Sequence, residues 1–187
     1  EEGDLQFVGV VPIGGNNITN DLAIGLKTDP EIAEKIKREH ASAMSRKEDS
    51  GVSIKHNGDI YNFLTNEIDE VVEARLEEIF EGVQNLLKKI GRAGKLPSGV
   101  VLTGGGAELK HVTEYAKHAL GLAVRIGKPS GYAGVAENIE HPAYATAVGL
   151  MLIDAERTNG SQKSKKSSMK MKDAQGFVTK LFARFKA

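Results

Sequence analysis

Apolar residues recur along this chain with spacings that predict a series of strands and helices. The run LQFVGVVP at 5–12 predicts a strand, which its final proline and a Gly-Gly-Asn-Asn turn bring to an end. Helices are expected at 18–26 and 29–40, and the second begins with Asp-Pro-Glu, a capping carboxylate followed by a proline and an acid in the first turn. The residues that this second helix should bury are Ile32, Ala33 and Ile36.

A hairpin and a long helix are predicted in the middle of the chain. Strands at 52–56 and 59–64 flank Asn57-Gly58, a dipeptide that strongly favours a two-residue turn. Thr65 is then expected to cap a helix that runs to about residue 90. The apolar residues of this helix fall on one stripe: Ile68, Val72, Leu76, Ile79, Phe80, Val83, Leu86, Leu87 and Ile90.

A strand that leads into three glycines lies in the second half of the chain. Four β-favouring residues at 100–103 predict a buried strand, and Gly104, Gly105 and Gly106 follow it directly. Glycine lets the backbone pass close to a ligand, and a helix start offers unpaired N–H groups, so the turn fits a nucleotide. Close packing of a strand against a helix also selects glycine, so a plain corner stays open as the alternative. The remaining expected elements are a helix at 108–120, a strand at 122–126, a glycine-rich loop at 127–136 and a helix opened by Pro142.

The composition is that of a soluble globular protein. Of 187 residues, 40% are hydrophobic and 27% are charged. No apolar run approaches the roughly 20 residues that a membrane-spanning helix needs. The absence of cysteine excludes disulfides and thiolate metal sites, and the five histidines show no metal-ligand spacing. Because the chain starts at Glu1, inside a segment that resembles a hairpin, we expect it to be a fragment.

A net charge of zero conceals two oppositely charged parts. Residues 157–187 carry nine Lys or Arg and one acid, a net charge of +8, so residues 1–156 carry a net charge of −8. Residues 157–172 are rich in Ser, Lys, Asn and Gly without an apolar period, which predicts a flexible linker. A basic end after an acidic body indicates an anionic binding partner.

Residues 173–187 predict an amphipathic helix that lies on a membrane surface. Its apolar residues fall within an arc of about 140° on a helix, and its basic residues border or oppose that arc. So short a helix is marginal in water and needs a surface on which to fold. Docking on its own domain or in a partner groove is the alternative, and the continuous apolar face argues against nucleic acid. The candidate membrane-binding residues are Phe177, Val178, Lys180, Leu181, Phe182, Arg184 and Phe185.

The helix at 29–40 carries the charged sequence EKIKR. Glu34, Lys37 and Arg38 are three and four residues apart, so they share one face of the helix. Such a face can stack an adenine on its aliphatic stems and guanidinium, and its carboxylate can reach ribose hydroxyls. An ordinary solvated face is the alternative for an isolated case.

Several segments together resemble the second half of the actin and heat-shock-chaperone ATPase fold, and more closely the FtsA family of bacterial cell-division proteins. The resemblance covers most of residues 8–153, and a short amphipathic tail closes the chain as it does in that family. The segments that carry it are VPIGGNNITNDLAIGL, VVEARLEEIFEGV, VVLTGGGAEL, AVRIGKPSG and HPAYATAVGL.

The resemblance implies an α/β fold, a ribonuclease-H-like mixed sheet with flanking helices and an inserted α+β subdomain. Subdomain IIA would comprise residues 1–27 and 97–156, and subdomain IIB residues 28–96. ATP would be the ligand, with Mg²⁺ held only in the intact protein, since the phosphate-binding hairpins of the family precede this segment. The chain by itself is therefore not expected to hydrolyse ATP. The implied nucleotide-binding residues are Gly15, Asn16, Asn17, Glu34, Lys37, Arg38, Gly104, Gly105 and Gly106.

The resemblance also implies partners. Subdomain IIB would bind the C-terminal peptide of FtsZ, a tubulin-like filament former, near Tyr61, Asn62 and Arg75. The family often carries an arginine around this strand, and this chain has none there. Arg75 and Lys55 are the candidates to replace it, and a structural ion pair of Arg75 with Glu73, or with Glu77 and Glu78, is the alternative.

These features predict an actin-like, ATP-binding scaffold for cell division. It would anchor FtsZ filaments to the cytoplasmic face of an anionic membrane at the division site, recruit other division proteins and self-associate into actin-like filaments, without binding nucleic acid. An ATPase or kinase of the same superfamily and a pilus-assembly relative of FtsA are the alternatives.

Overall fold

The computed structural model describes residues 5–132 and 139–161. The chain divides into two units at Gly149, and of the second unit the described part is the remainder of the last helix. The helices and strands are α1 (Gly15–Gly25), α2 (Pro30–Glu39), β1 (Gly51–His56), β2 (Asp59–Leu64), α3 (Thr65–Lys89), β3 (Val100–Leu102), α4 (Val112–Leu120), β4 (Val124–Ile126) and α5 (Ala145–Ser161). Short 3₁₀ turns lie at Gly105–Glu108 and Pro142–Tyr144.

The core of the first unit lies between α1, α2, the β1–β2 hairpin and α3. Ile32, Ala33 and Ile36 of α2 are fully buried, which confirms the predicted inner face of that helix. From α3 the stripe Ile68, Val72, Leu76 and Phe80 packs into the same cluster, and α4 adds Ala116 and Leu120. Removing these side chains from water is the main stabilising contribution, about 1.5–3 kcal/mol for each large one.

The hairpin follows its sequence signal. β1 and β2 pair antiparallel, with Val52 opposite Phe63 and His56 opposite Asp59. Asn57 and Gly58 have φ angles of 50° and 94°, so both turn residues occupy the left-handed region that a two-residue hairpin turn requires. The predicted turn is therefore confirmed.

The start of α3 differs from the prediction that Thr65 caps it. Thr65 is buried and is the first residue of the helix, and its hydroxyl donates to Asp49 Oδ1 at 3.0 Å. The same carboxylate accepts the Asn66 N–H at 3.1 Å. The free N–H groups at a helix start need an acceptor, and for Asn66 a residue 17 positions upstream supplies it. The Thr65 oxygen instead accepts the Ser50 N–H at 2.9 Å.

The strand before the glycines is less buried than expected. β3 and β4 form a parallel pair, with Val100 opposite Val124 and Leu102 opposite Ile126. Val101 is 46% exposed, because in the described residues this sheet has two strands and one face of β3 is uncovered. The predicted burial of the whole strand was therefore wrong.

Two further expectations differ from the structure. Residues 5–12 form no strand, since among the described residues they have no ladder partner, and an unpaired strand leaves its N–H and C=O groups unsatisfied. The helix expected at 108–120 begins at Val112, because a 3₁₀ turn and a left-handed residue, His111 with φ 60°, come first.

The chain near its end is described only in part. Helix α5 continues to Ser161, so the first five residues expected in the linker are helical. The amphipathic segment 173–187 lies outside the described residues. Within the part of the chain that the structure describes, no helix is long and apolar enough to cross a bilayer.

Candidate functional site

The start of α1 meets the middle of α2 in a hydrogen-bonded cluster of four residues. Lys37 Nζ donates to Glu34 Oε2 at 2.6 Å, to Thr19 Oγ1 at 2.8 Å and to the Gly15 carbonyl at 3.2 Å. The Thr19 hydroxyl donates to Glu34 Oε2 at 2.5 Å. Gly15, Thr19, Glu34 and Lys37 are called the Glu34 cluster below. It brings together two of the segments that the sequence placed at a nucleotide.

Electrostatics keep the Glu34 carboxylate ionised. Burial raises its pKa, but hydrogen bonds from Lys37 and Thr19, together with the charges of Lys37 and Arg38, outweigh burial and hold the pKa of Glu34 below 4.5. The Glu34 side chain is 42% exposed, whereas Lys37 is 15% exposed. The cluster therefore presents a fixed, partly open carboxylate, a suitable acceptor for hydroxyl groups, and Lys37 serves to hold it.

The two asparagines between Gly15 and Thr19 of the cluster differ in their surroundings. Asn17 Oδ1 accepts the Gly14 N–H at 2.9 Å, and the Asn17 N–H donates to the Gly14 carbonyl at 2.9 Å. Asn17 therefore closes the first turn of α1. Asn16 is exposed and open to a ligand.

The glycine turn after β3 contains more glycine than its backbone needs. Gly104 has a φ of 88°, and its N–H donates to the Pro142 carbonyl at 3.0 Å, so this position requires glycine. Gly105 and Gly106 lie outside the left-handed region, and a Cβ at either would meet no atom within 4 Å among the described residues. The fold of the described residues thus gives no reason for these two glycines, and close approach of a ligand would give one.

The glycine turn is attached to the end of α2 by Lys110. Lys110 Nζ donates to the Glu39 carbonyl at 2.6 Å, and the Ala43 N–H donates to the Lys110 carbonyl at 2.8 Å. Arg38, just before that end of the helix, is exposed. Hydrogen bonds therefore join α1 to α2, and the end of α2 to Lys110, which lies four residues after Gly106.

A second candidate region is a groove between α1 and α3. Arg75 Nε and Nη2 donate to the two oxygens of Asp21 at 2.5 and 2.9 Å, and Nη1 donates to Glu78 at 2.5 Å. The groove has a volume of about 330 Å³ and is lined by Asp21, Ile24, Val71, Ala74, Arg75 and Glu78. Arg75 thus forms a structural ion pair, with Glu78 as one of the expected partners and Asp21 as an additional one.

The other two residues predicted for peptide binding lie on β2. Tyr61 packs against the core opposite Ile54, and Asn62 accepts the Ser53 hydroxyl at 2.7 Å. Neither of them lines the groove that contains Arg75.

Sequence reasoning did not assign a role to Thr19 or Asp21. A signal for Thr19 existed, because it lies one turn after Gly15 and is a polar residue on the buried face of α1, between Ile18 and Leu22. Asp21 gave no such signal, since its partner is 54 residues away in the sequence.

Comparison with known proteins identifies the family. The family model for cell division protein FtsA matches residues 1–149. The chain belongs to the FtsA family. FtsA of Pseudomonas aeruginosa is 34% identical over 160 residues, covering 83% of this chain and 38% of that protein. FtsA of Bacillus subtilis is 38% identical over 155 residues, covering 81% of this chain and 34% of that protein. The chain thus spans little more than a third of the length of these FtsA relatives.

Solved structures confirm the actin-like fold of this FtsA segment. MreB5 of Spiroplasma citri bound to ADP superposes with a TM-score of 0.62 at 15% identity, over 81% of this chain and 47% of that chain. The same protein bound to AMPPNP gives a TM-score of 0.60 at 15% identity, over 83% and 47% of the two chains. At such identity the likeness concerns the fold alone, and it agrees with the α/β, actin-like class that the sequence motifs implied.

Proposed function

We propose that this FtsA-family chain is part of a nucleotide-binding scaffold that anchors FtsZ filaments to the cytoplasmic face of the membrane, recruits other division proteins and self-associates into actin-like filaments. The observation that carries the nucleotide part is the Glu34 cluster, which fixes a carboxylate between the α1 turn and α2. FtsA membership supports the cell-division role over that of a pilus-assembly relative. A superfamily enzyme remains as the rival, and phosphate release from ATP by the intact protein would distinguish it.

The adenosine of ATP is proposed to lie between the glycine turn and α2. Gly105 and Gly106 would pass close to the base and ribose, with Asn16 approaching the ribose from the α1 turn. Glu34 would accept the ribose hydroxyls, and Arg38, exposed on α2, would lie over the base. Mg²⁺ and the terminal phosphate are proposed to be held by parts of the intact protein outside this chain.

A substitution at Gly105 tests the adenosine site. A Cβ there meets no described atom, so Gly105→Val should change the melting temperature little. It should abolish saturation-transfer NMR signals from the adenine and ribose protons of ADP, because the side chain would occupy the ligand's position. Gly51→Val, which also has open space, is the matched control. Undiminished saturation transfer to ADP in Gly105→Val would contradict the proposal that the glycine turn contacts the adenosine.

The groove between α1 and α3 is the proposed FtsZ peptide site. Ile24 is 77% exposed and lines the groove with Val71 and Ala74, and these side chains offer an apolar contact surface for a short amphipathic peptide. Arg75 could exchange Glu78, which is more exposed than Asp21, for an acidic residue of the peptide. Tyr61 and Asn62, on β2, would contribute only through an extension of the peptide.

Peptide titration can locate this site. Ile24→Glu should weaken binding of a labelled FtsZ C-terminal peptide by roughly tenfold or more, since it places a charge in this apolar contact surface. Ile60→Glu is the matched control, because Ile60 is 65% exposed and lies on β2 outside the groove. Equal weakening by the two substitutions would argue against the groove.

The membrane part of the proposal rests on residues 173–187. Full-length chain should sediment with vesicles that contain anionic lipid and remain in solution with neutral vesicles. Changing Phe177, Phe182 and Phe185 to serine should abolish sedimentation, whereas Ala183→Ser, on the opposite side of the predicted helix, should not. Sedimentation unaffected by loss of the three rings would contradict an amphipathic anchor.

A further inference from the structure

A second groove, between α3 and α4, shares no lining residue with the Glu34 cluster or with the groove of the proposed FtsZ site. Its volume is about 430 Å³. It is called the acidic groove below, and its lining includes Glu73, Glu77, Phe80, Glu81, Gln84 and Tyr115.

Three carboxylates form one edge of the acidic groove. Glu73, Glu77 and Glu81 are spaced four residues apart on α3, so they lie in a row, and like charges at this spacing destabilise a helix. Glu73 accepts the Ser45 hydroxyl at 2.5 Å. Among the described residues no cation pairs with Glu77 or Glu81, and these residues form no metal-binding cluster.

Aromatic rings form the other part of the lining. The Phe80 and Tyr115 rings are 5.6 Å apart between centroids and tilted by 46°. Glu73 and Glu77 line the same groove as the Tyr115 ring, and burial, followed by the charges of these two carboxylates, raises the pKa of Tyr115. An aromatic face beside carboxylates attracts a cation by two mechanisms at once.

An unsatisfied acceptor lies at the same place. Gln84 lines the groove, and its Oε1 is buried without a hydrogen-bond partner among the described residues. A buried carbonyl oxygen without a donor costs free energy, so the groove favours a ligand that brings N–H groups. The terminal torsion of glutamine is soft, so a small rotation can present this oxygen to the ligand.

We propose that the acidic groove binds an arginine side chain from a basic segment of a partner protein. A guanidinium has five N–H donors in a planar fork, which suits Glu77, Glu81 and the Gln84 oxygen together while its plane stacks on Tyr115. A lysine ammonium has three N–H donors for the same oxygens, but it has no planar face to stack on Tyr115, so the ring is what favours arginine. A buried aromatic contact with arginine is a frequent centre of protein interfaces.

Binding of labelled hexa-arginine to the full-length chain tests the site. Changing Glu77 and Glu81 together to glutamine should weaken binding by about tenfold or more. Changing Glu67 and Glu70 to glutamine alters the charge of the same helix equally, outside the groove, and should change binding less than about twofold. Equal losses in the two double variants would show a nonspecific attraction to acidic surface and would overturn the proposal.

The Tyr115 ring and the planar guanidinium of arginine can be tested by a second measurement. Tyr115→Phe keeps the aromatic face and should bind hexa-arginine as the natural chain does, whereas Tyr115→Leu should bind several-fold more weakly, about the loss expected for a cation–π contact. Hexa-lysine should bind more weakly than hexa-arginine to the natural chain, and the two peptides should bind equally to Tyr115→Leu. Equal binding of both peptides to the natural chain would overturn the proposal.

A second copy of the chain is the rival occupant. Sedimentation velocity of the natural chain and of the Glu77 and Glu81 double variant distinguishes a second copy of the chain from a partner protein as the occupant. If the natural chain self-associates and the double variant does not, the groove is a contact between copies, and the peptide proposal is overturned. An unchanged association state, together with the loss of hexa-arginine binding, supports it.

Discussion

At the scale of single residues, one buried carboxylate determines how the loop after α2 is held. Asp69 is 1% exposed, and Arg46 Nε and Nη2 donate to its two oxygens at 2.7 and 2.6 Å. Arg46 Nη2 also donates to the His40 carbonyl at 2.9 Å. The pair therefore ties α3 to the segment that leads from α2 to the hairpin.

Loss of Arg46 should destabilise the protein strongly. Arg46→Ala would leave the Asp69 charge buried and unpaired, which costs about 3–5 kcal/mol in the free energy of unfolding. Urea denaturation followed by circular dichroism measures it. Replacing both partners with apolar residues, Arg46→Met and Asp69→Leu, should recover part of the loss, and a double variant less stable than Arg46→Ala would contradict this explanation.

The Glu34 cluster should make stability depend on pH in the acid range. The pKa of Glu34 in the folded protein lies below its ordinary value of 4.5, so the folded state binds this proton less readily than the unfolded state. Its contribution is present above pH 4.5 and is lost as the pH falls through the lower, folded pKa. The stability difference between the natural chain and Glu34→Gln should therefore shrink in that range. A difference that stays constant into acid would contradict the role of the charge.

At the scale of elements, α3 shows how a distant residue can complete a helix. Asp49 supplies the acceptor that the first turn needs, and a hydrogen bond from the Asn66 N–H is the main reason that the pKa of Asp49 is lowered. The β1–β2 hairpin connects Asp49 to this helix start, so the position of the hairpin affects the stability of α3.

The cap can be tested by two substitutions at one position. Asp49→Ala should lower the urea midpoint, because the Asn66 N–H loses its acceptor. Asp49→Asn should retain most of the stability, since an amide oxygen can accept the same bond. The measurement is the denaturation midpoint of each variant, and a loss as large for asparagine as for alanine would show that the charge rather than the cap is responsible.

At the scale of the whole molecule, one core joins elements that the sequence divided between two subdomains. Buried Leu22 from α1, Ile36 from α2 and Ile68 from α3 belong to one cluster, and residues 1–149 form one unit. The division at residue 28 into subdomains IIA and IIB remains a proposal.

The shared core should make this unit unfold in one step. Ile68→Ala should destabilise it by about 2–5 kcal/mol, through lost burial and a cavity. Helix content and tyrosine fluorescence should still change at the same urea concentration, because these elements share one core. Two separate transitions would show instead that the predicted subdomains are independent folding units.

Local chemistry explains which elements were predicted well. The Asp-Pro-Glu start of α2, the Asn57-Gly58 turn and the stripe on α3 each depend on neighbouring residues, and each lies where the sequence placed it. The segment 5–12 and the burial of Val101 depend on partner strands from elsewhere, and both were predicted wrongly.

The candidate site divides in the same way. The glycines, Glu34 and Lys37 could be named as candidates from the sequence, since their spacing on one turn or helix face is local, and their role at a nucleotide remains a proposal. Thr19 as a partner of Glu34 and Asp21 as a partner of Arg75 became visible only in three dimensions, because these pairs are 15 and 54 residues apart. The acidic groove likewise needs α3 and α4 side by side.

The sequence by itself determined the helices, the hairpin, the FtsA family resemblance and the glycine motifs, because these depend on residues close together in the chain. Only the tertiary structure decided which charges are paired, which caps are supplied from a distance and which faces remain open. Hydrogen bonds and ion pairs act over a few ångströms of space, and the folded chain brings residues that are far apart in sequence within that range.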